Sequence, residues 1–175
     1  IGNENNAAVQ QKSPLNTTII PDGLNVTSIS TGGSHVCAIL NDNSVLCWGS
    51  GPIGSTSGNR YYFGNQIPIS IKSGTRFSCV ILDNYSVNCW GENQHGTLGI
   101  NSTRDKLTPQ YVDLGSGRTA KSLSTDREHV CAILDDNSLK CWGQNEYLGY
   151  GGFLGLGHTI SPILVPTSVN IPPGR

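Results

Sequence analysis

The chain has no methionine, and charged residues make up only 13% of its 175 positions, about half the usual share. The 11 basic and 12 acidic residues nearly cancel, which argues against a face that neutralises nucleic-acid phosphates or an anionic membrane. Apolar runs stop far short of the ~18 residues a membrane-spanning helix needs. No Cys-x-x-Cys occurs among the six cysteines, so zinc ligation is not expected. A strained Gly-x-Ser-x-Gly elbow is missing as well. Asp42, Asp83 and Asp135 fall in polar turns, where a carboxylate serves the backbone. Residues Gly151–Gly157 form a glycine-rich stretch without the lysine of a phosphate-binding loop. These gaps predict a chain that is not an enzyme and needs no cofactor. With no initiator Met and no secretory leader, it reads as a mature form or an excised piece.

What is present is turn-forming and repetitive. There are 22 glycines and 9 prolines, and three stretches align without gaps: His35–Gly49, Phe77–Gly91 and His129–Gly143. Each runs Cys, a small residue or Val, Ile, Leu, a polar turn, Ser, Val or Leu, a variable residue, Cys, Trp, Gly. Trp48, Trp90 and Trp142 lie 42 and 52 residues apart, a period belonging to β-rich arrays such as propellers. Each core reads as a β-hairpin. In the first, Cys37 pairs with Cys47 and Ile39 with Val45, leaving Asn41-Asp42-Asn43 as a loop that tolerates left-handed geometry. Arms apolar on both faces predict sheets sandwiched between neighbours. The variable position (Leu46, Asn88, Lys140) is expected near solvent.

Further elements recur around each hairpin. Strand-like segments precede it at Val26, Ile69 and Ala120; Gly-Leu-Gly turns follow at Gly96–Gly99 and Gly152–Gly157; Pro-led strands start at Pro109 and Pro162. Four short strands per unit describe a propeller blade. The expectation is all-β, with about three four-stranded blades in units 14–57, 66–107 and 109–160. Residues 1–13 and 161–175 are partial-unit overhangs, and the whole is a portion of a larger propeller or repeat array. Ser50–Gly64 reads as a degenerate, longer loop. The tryptophans read as inter-blade packing, and the Phe77 that replaces His35 and His129 marks that position as packing too.

The Cys-Ala-Ile-Leu arm, polar turn, Cys-Trp-Gly and following Asn-x-x-Gly-x-Leu-Gly, plainest in Trp90–Gly99 and Trp142–Asn145, resemble the regulator of chromosome condensation repeat family. More narrowly, they resemble its cysteine-bearing form in secreted and surface proteins. The resemblance implies a β-propeller, commonly of seven blades, acting as a protein-binding platform and in some members as an inhibitor of secreted enzymes. The founding member implies nucleotide exchange on a small GTPase, which disulfides would place in the wrong compartment.

Directly opposed cysteines predict bonds Cys37–Cys47, Cys79–Cys89 and Cys131–Cys141; the alternative is three reduced pairs buried as small hydrophobes. Disulfides point to an oxidising compartment, hence an extracellular or cell-surface location. Sequons stand at Asn16, Asn25, Asn84 and Asn101, with Asn84 and Asn101 the favoured glycan sites. The expected function is a structural, self-assembling module of a surface fibre whose partners are copies of itself or other proteins. The alternative is a protein-binding propeller that contacts its partner through Tyr61, Tyr62 and Tyr147.

Overall fold

The computed structural model describes residues 19–55 and 57–171. Three antiparallel four-stranded sheets follow one another along the chain. The first contains β1 (Val26–Thr31), β2 (His35–Leu40), β3 (Val45–Gly49) and β4 (Asn59–Tyr61). The second contains β5 (Pro68–Ser73), β6 (Phe77–Leu82), β7 (Val87–Gly91) and β8 (Lys106–Val112). The third contains β9 (Ala120–Thr125), β10 (His129–Leu134), β11 (Leu139–Gly143) and, after a small hairpin of β12 (Glu146–Tyr147) and β13 (Tyr150–Gly151), the outer strand β14 (Ile163–Val169). These are the blades expected from the repeat. The Pro109-led strand, read from sequence as opening the third unit, is instead the outer strand of the second blade, pairing Val87 with Val112 and Cys89 with Gln110. The loop after β7 turns the chain back along its own sheet, so the antiparallel ladder claims that strand locally.

The hairpin register is the expected one. Cys37, Cys79 and Cys131 stand opposite Cys47, Cys89 and Cys141. The three pairs are disulfide-bonded, with Cα atoms 4.0, 4.1 and 4.1 Å apart. At the hairpin tips Asn43, Tyr85 and Asn137 take φ of 65°, 62° and 67°. Asp42, Asn84 and Asp136 each accept hydrogen bonds from both the amide and the hydroxyl of the serine two residues on. Those serine bonds hold the carboxyls of Asp42 and Asp136 below the ordinary carboxylate pKa, and the facing Arg60 and Arg118 act in the same direction.

Strand alternation explains how the blades stack. Cys37, Ile39 and Val45 of blade 1 face blade 2 and meet Ile71, Val80, Leu82 and Trp90. Cys79, Ile81 and Val87 turn to the opposite face and meet Val130, Ala132, Leu134 and Trp142 of blade 3. Trp90 and Trp142 therefore pack between blades, as expected. On blade 1's other face Ala38, Leu40 and Leu46 are buried beneath Ile19, Ile20 and Leu24, with half-buried Trp48 beside them. This corrects the expectation for the variable position in blade 1 alone. Leu46 is buried, and the Lys140 ammonium donates to the Leu114 carbonyl at 2.9 Å. Asn88 and Lys140 are half-buried, near solvent as expected, so the position is closed off only in blade 1, where Ile19, Ile20 and Leu24 cover it.

Candidate protein-interaction face

Antiparallel strands send alternate connections to opposite ends of a blade. The turns at 32–34, 74–76 and 126–128 and the loops at 50–58, 92–105 and 144–162 therefore share one end. The two longest are built on a buried asparagine. Asn93 accepts from the Leu98 amide and donates to the carbonyls of Ser102 and Arg104. Asn145 repeats this with Leu154, His158 and Ile160. Three bonds from one buried amide pin a wide loop without strand pairing.

Blade 1 has Gly51 at that position and lacks the device. Its loop nevertheless keeps the same plug: Ile53 is fully buried, as Leu98 is in blade 2. Gly51-Pro52-Ile53-Gly54 is thus blade 1's version of Gly96-Thr97-Leu98-Gly99. Reading Ser50–Gly64 as merely degenerate missed it, because the turn arrives three residues after the tryptophan instead of six.

Polar side chains tie the loops of this end together. Arg76 pairs with Glu92 at 2.6 Å, and His95 with Glu128 at 3.2 Å. Blade to blade, the Gly33 amide donates to the Thr75 carbonyl, and the Thr75 amide to that of Arg127. Over blade 3 opens a groove of about 640 Å³ lined by Thr75, Asp126, Arg127, Glu128, His129, Gln144, Tyr147 and Phe153. The Arg127 guanidinium lies 6.0 Å from the centre of the Tyr147 ring, within cation–π range. The β12–β13 hairpin rises at its rim with Leu148 79% and Tyr150 75% exposed, and Tyr147 and Phe153 about half exposed. Large apolar side chains clustered in solvent on a tight hairpin form the kind of exposed patch that interaction sites use.

The three tyrosines expected to form one contact surface are not together. Tyr147 belongs to this groove. Tyr61 is buried with its ring 5.0 Å from that of Trp90, and burial raises its hydroxyl pKa. Tyr61 is therefore a core residue, because β4 alternation turns it inward. Tyr62 is exposed but follows β4, at the opposite end of the blade. Among the sequons, Asn25, Asn84 and Asn101 lie exposed at turns, and Asn16 lies outside the described residues. Among the described residues no three His, Cys, Asp or Glu side chains gather, and no helix is long and apolar enough to cross a membrane.

Comparison with known proteins fixes the class. Models of the regulator of chromosome condensation (RCC1) repeat match residues 26–52, 86–133 and 127–147, together about half of the chain. The chain belongs to this repeat family. It is 30% identical over 161 residues to the ultraviolet-B receptor UVR8 of Arabidopsis thaliana, covering 86% of this chain and 36% of that protein. Yeast RCC1 (Prp20) in its complex with Kap60 superposes with a TM-score of 0.75 at 19% identity, covering 84% of this chain and 37% of the other. Saccharomyces cerevisiae Prp20p, whose binding to Gsp1p and histones is described with its structure, superposes with a TM-score of 0.72 at 19% identity over 84% and 39%. The chain thus spans little more than a third of the relatives it matches.

These relatives correct the narrower expectations. They are a receptor and a protein described by its binding to Kap60, Gsp1p and histones, not the secreted, cysteine-bearing form of the family. The extracellular or cell-surface location, the surface fibre with its structural role, and the secreted, glycoprotein and fibril readings rested on that form and are withdrawn. The disulfides had been their main support. Strand register accounts for the opposed placement of the cysteines, with Cα atoms 4.0–4.1 Å apart in every hairpin, and that placement is the same in any compartment.

Proposed function

We propose that these blades are a protein-binding segment of an RCC1-type propeller, and that the partner docks on the loop end over blade 3. One observation carries this reading: the β12–β13 hairpin holds Tyr147, Leu148 and Tyr150 in solvent beside Phe153, at the rim of a groove with a charged floor. Aromatic anchors ringed by polar side chains are the usual energetic centre of a protein interface. The blades supply a rigid base, since Asn145 fixes the loop from which the hairpin rises.

The relatives support the same kind of role, as yeast RCC1 is described bound to Kap60 and as binding Gsp1p and histones. Partner identity in this chain is a separate matter that its own groove chemistry decides.

The test compares two surfaces of one molecule. A partner isolated with the wild-type chain should be lost from the Tyr147→Ala, Phe153→Ala double variant, with affinity down at least tenfold and the melting temperature unchanged. Tyr62→Ala, at the other end, should bind as wild type. Retention by the double variant, or equal loss with Tyr62→Ala, would sink the assignment of this face.

A further inference from the structure

We propose that His35 makes the junction between blades 1 and 2 an acid-sensitive latch, which holds the two blades together when the imidazole is neutral and releases them when it is protonated. The position begins β2 and points out of blade 1 into blade 2. His35 is buried, and its Nε2 lies 2.9 Å from the Ser78 hydroxyl. That hydroxyl is shared with Ser73 at 2.8 Å and approaches the Cys37 sulfur at 3.3 Å. The imidazole Nδ1 is buried with no hydrogen-bond partner.

A neutral ring tolerates this arrangement with one unpaired nitrogen. An imidazolium does not, because both nitrogens then carry protons and Nδ1–H makes no hydrogen bond, the Gly74 carbonyl lying near the ring but unbonded to it. The elements packed around the ring offer no counter-charge. β5 contributes Ser73, β6 contributes Ser78, the preceding turn contributes Gly32, and blade 1's own hairpin contributes the Cys37–Cys47 disulfide. The charged groups on the neighbouring turns, Arg76 and Glu92, are engaged with each other. Space is also lacking, since a Cβ on Gly32 would stand 2.2 Å from the imidazole Cε1. A charged, hydrated ring must therefore leave, and leaving separates β2 from β6.

The repeat supplies its own control. Phe77 occupies the same place in blade 2, buried and without titratable atoms, so the junction between blades 2 and 3 has no such latch. The linkage follows from burial. Desolvation lowers the pKa of folded His35 below the ordinary 6.5, so below about pH 6.5 the unfolded chain binds more protons than the folded one. The His35 contribution to stability is thus present above that pH and is lost as the pH falls through it toward the folded value.

The latch lies beneath the turns at 32–34 and 74–76, and Thr75 also lines the groove over blade 3. Acid opening would consequently disturb the proposed binding face from below, although the latch itself does not depend on that reading.

The test compares the 175-residue chain with His35→Phe, which installs the blade 2 residue. Between pH 7.5 and 5.5 the melting temperature of the wild type should fall by several degrees more than that of H35F, with His129→Phe behaving as wild type. An equal fall in wild type and H35F would overturn the latch. Should H35F not fold, hydrogen exchange of the wild type decides. After correction for intrinsic rates, acid should unprotect the Gly33 amide, which bonds to blade 2, before the Thr75 amide, which bonds to blade 3. Equal protection of both amides at pH 5.5 would refute the proposal.

Discussion

The two blade junctions are made from one repeated plan, yet they satisfy their polar atoms differently. Between blades 2 and 3, the fully buried indole of Trp142 donates to the Thr97 carbonyl at 2.9 Å, and Phe77 fills the start of the strand. Between blades 1 and 2, Trp90 is equally buried, but its indole N–H makes no hydrogen bond of good geometry, the nearby Tyr61 hydroxyl acting on it only weakly, and the Nδ1 of His35 has no partner. The cause lies in the blade 1 loop. A shortened connection carries Pro52 and Ile53 to the place of Thr97 and Leu98. It keeps the apolar plug but does not bring the Pro52 carbonyl into a hydrogen bond with the tryptophan. Tyr61 and Phe63 pack against Trp90 instead, with centroids at 5.0 and 6.3 Å. Apolar contact survives a change in loop length because it is non-directional, whereas a hydrogen bond requires an atom at one place. The lesson is that a repeat keeps its hydrophobic layer more easily than its polar contacts.

Three substitution pairs would sharpen this contrast. The largest effect is expected from the loop asparagines. Asn93→Ala or Asn145→Ala removes three bonds to backbone groups, and should cost about 3 kcal/mol by urea unfolding at roughly 1 kcal/mol per bond. Gly51→Asn, the reverse change in blade 1, should gain nothing, because its short loop has no matching carbonyls to collect. A stabilised Gly51→Asn would break the account of why that loop differs.

Next come two glycines in equivalent turns. Gly99 and Gly155 have φ of 67° and 68°, so an alanine is equally strained at either. A Cβ at Gly99 would meet the Trp142 indole at 2.8 Å, against 3.4 Å to Val169 at Gly155. Gly99→Ala should therefore be the worse of the two by about 1–2 kcal/mol in thermal melts, the cost of overpacking. Equal values would mean that the indole shifts freely, and that the Trp142 bond is weaker than its geometry implies.

The smallest difference is the most specific. Trp142→Phe and Trp90→Phe remove the same ring from two similar layers, but only the first breaks a hydrogen bond and strands a carbonyl. Trp142→Phe should be more destabilising by about 1–2 kcal/mol. Parity would show that Trp90 finds a partner in solution.

Much of this architecture was legible in the chain because it is local. Hairpin register, the left-handed tip at Asn43 and the opposition of Cys37 and Cys47 all follow from spacing within about fifteen residues. Tyr61, Tyr62 and Tyr147 could not be sorted the same way. A tyrosine in a loop-like, glycine-rich segment carries no local mark of whether its ring meets Trp90 or solvent. The groove likewise joins Thr75 to Phe153, residues of different blades whose proximity depends on stacking. The narrower, secreted reading of the family failed for a related reason. Paired cysteines report strand register, and register is the same wherever the protein resides.

By itself, then, the sequence determined the blade: which residues pair, where the chain turns, and which faces must be covered, since strand alternation and turn chemistry act over a few residues. Only the tertiary structure decided what each blade meets. It left Trp90 and His35 with unpaired nitrogens and gave Trp142 an acceptor. It also raised Tyr147 beside a groove, because such contacts depend on loop lengths and on the stacking of one blade against the next.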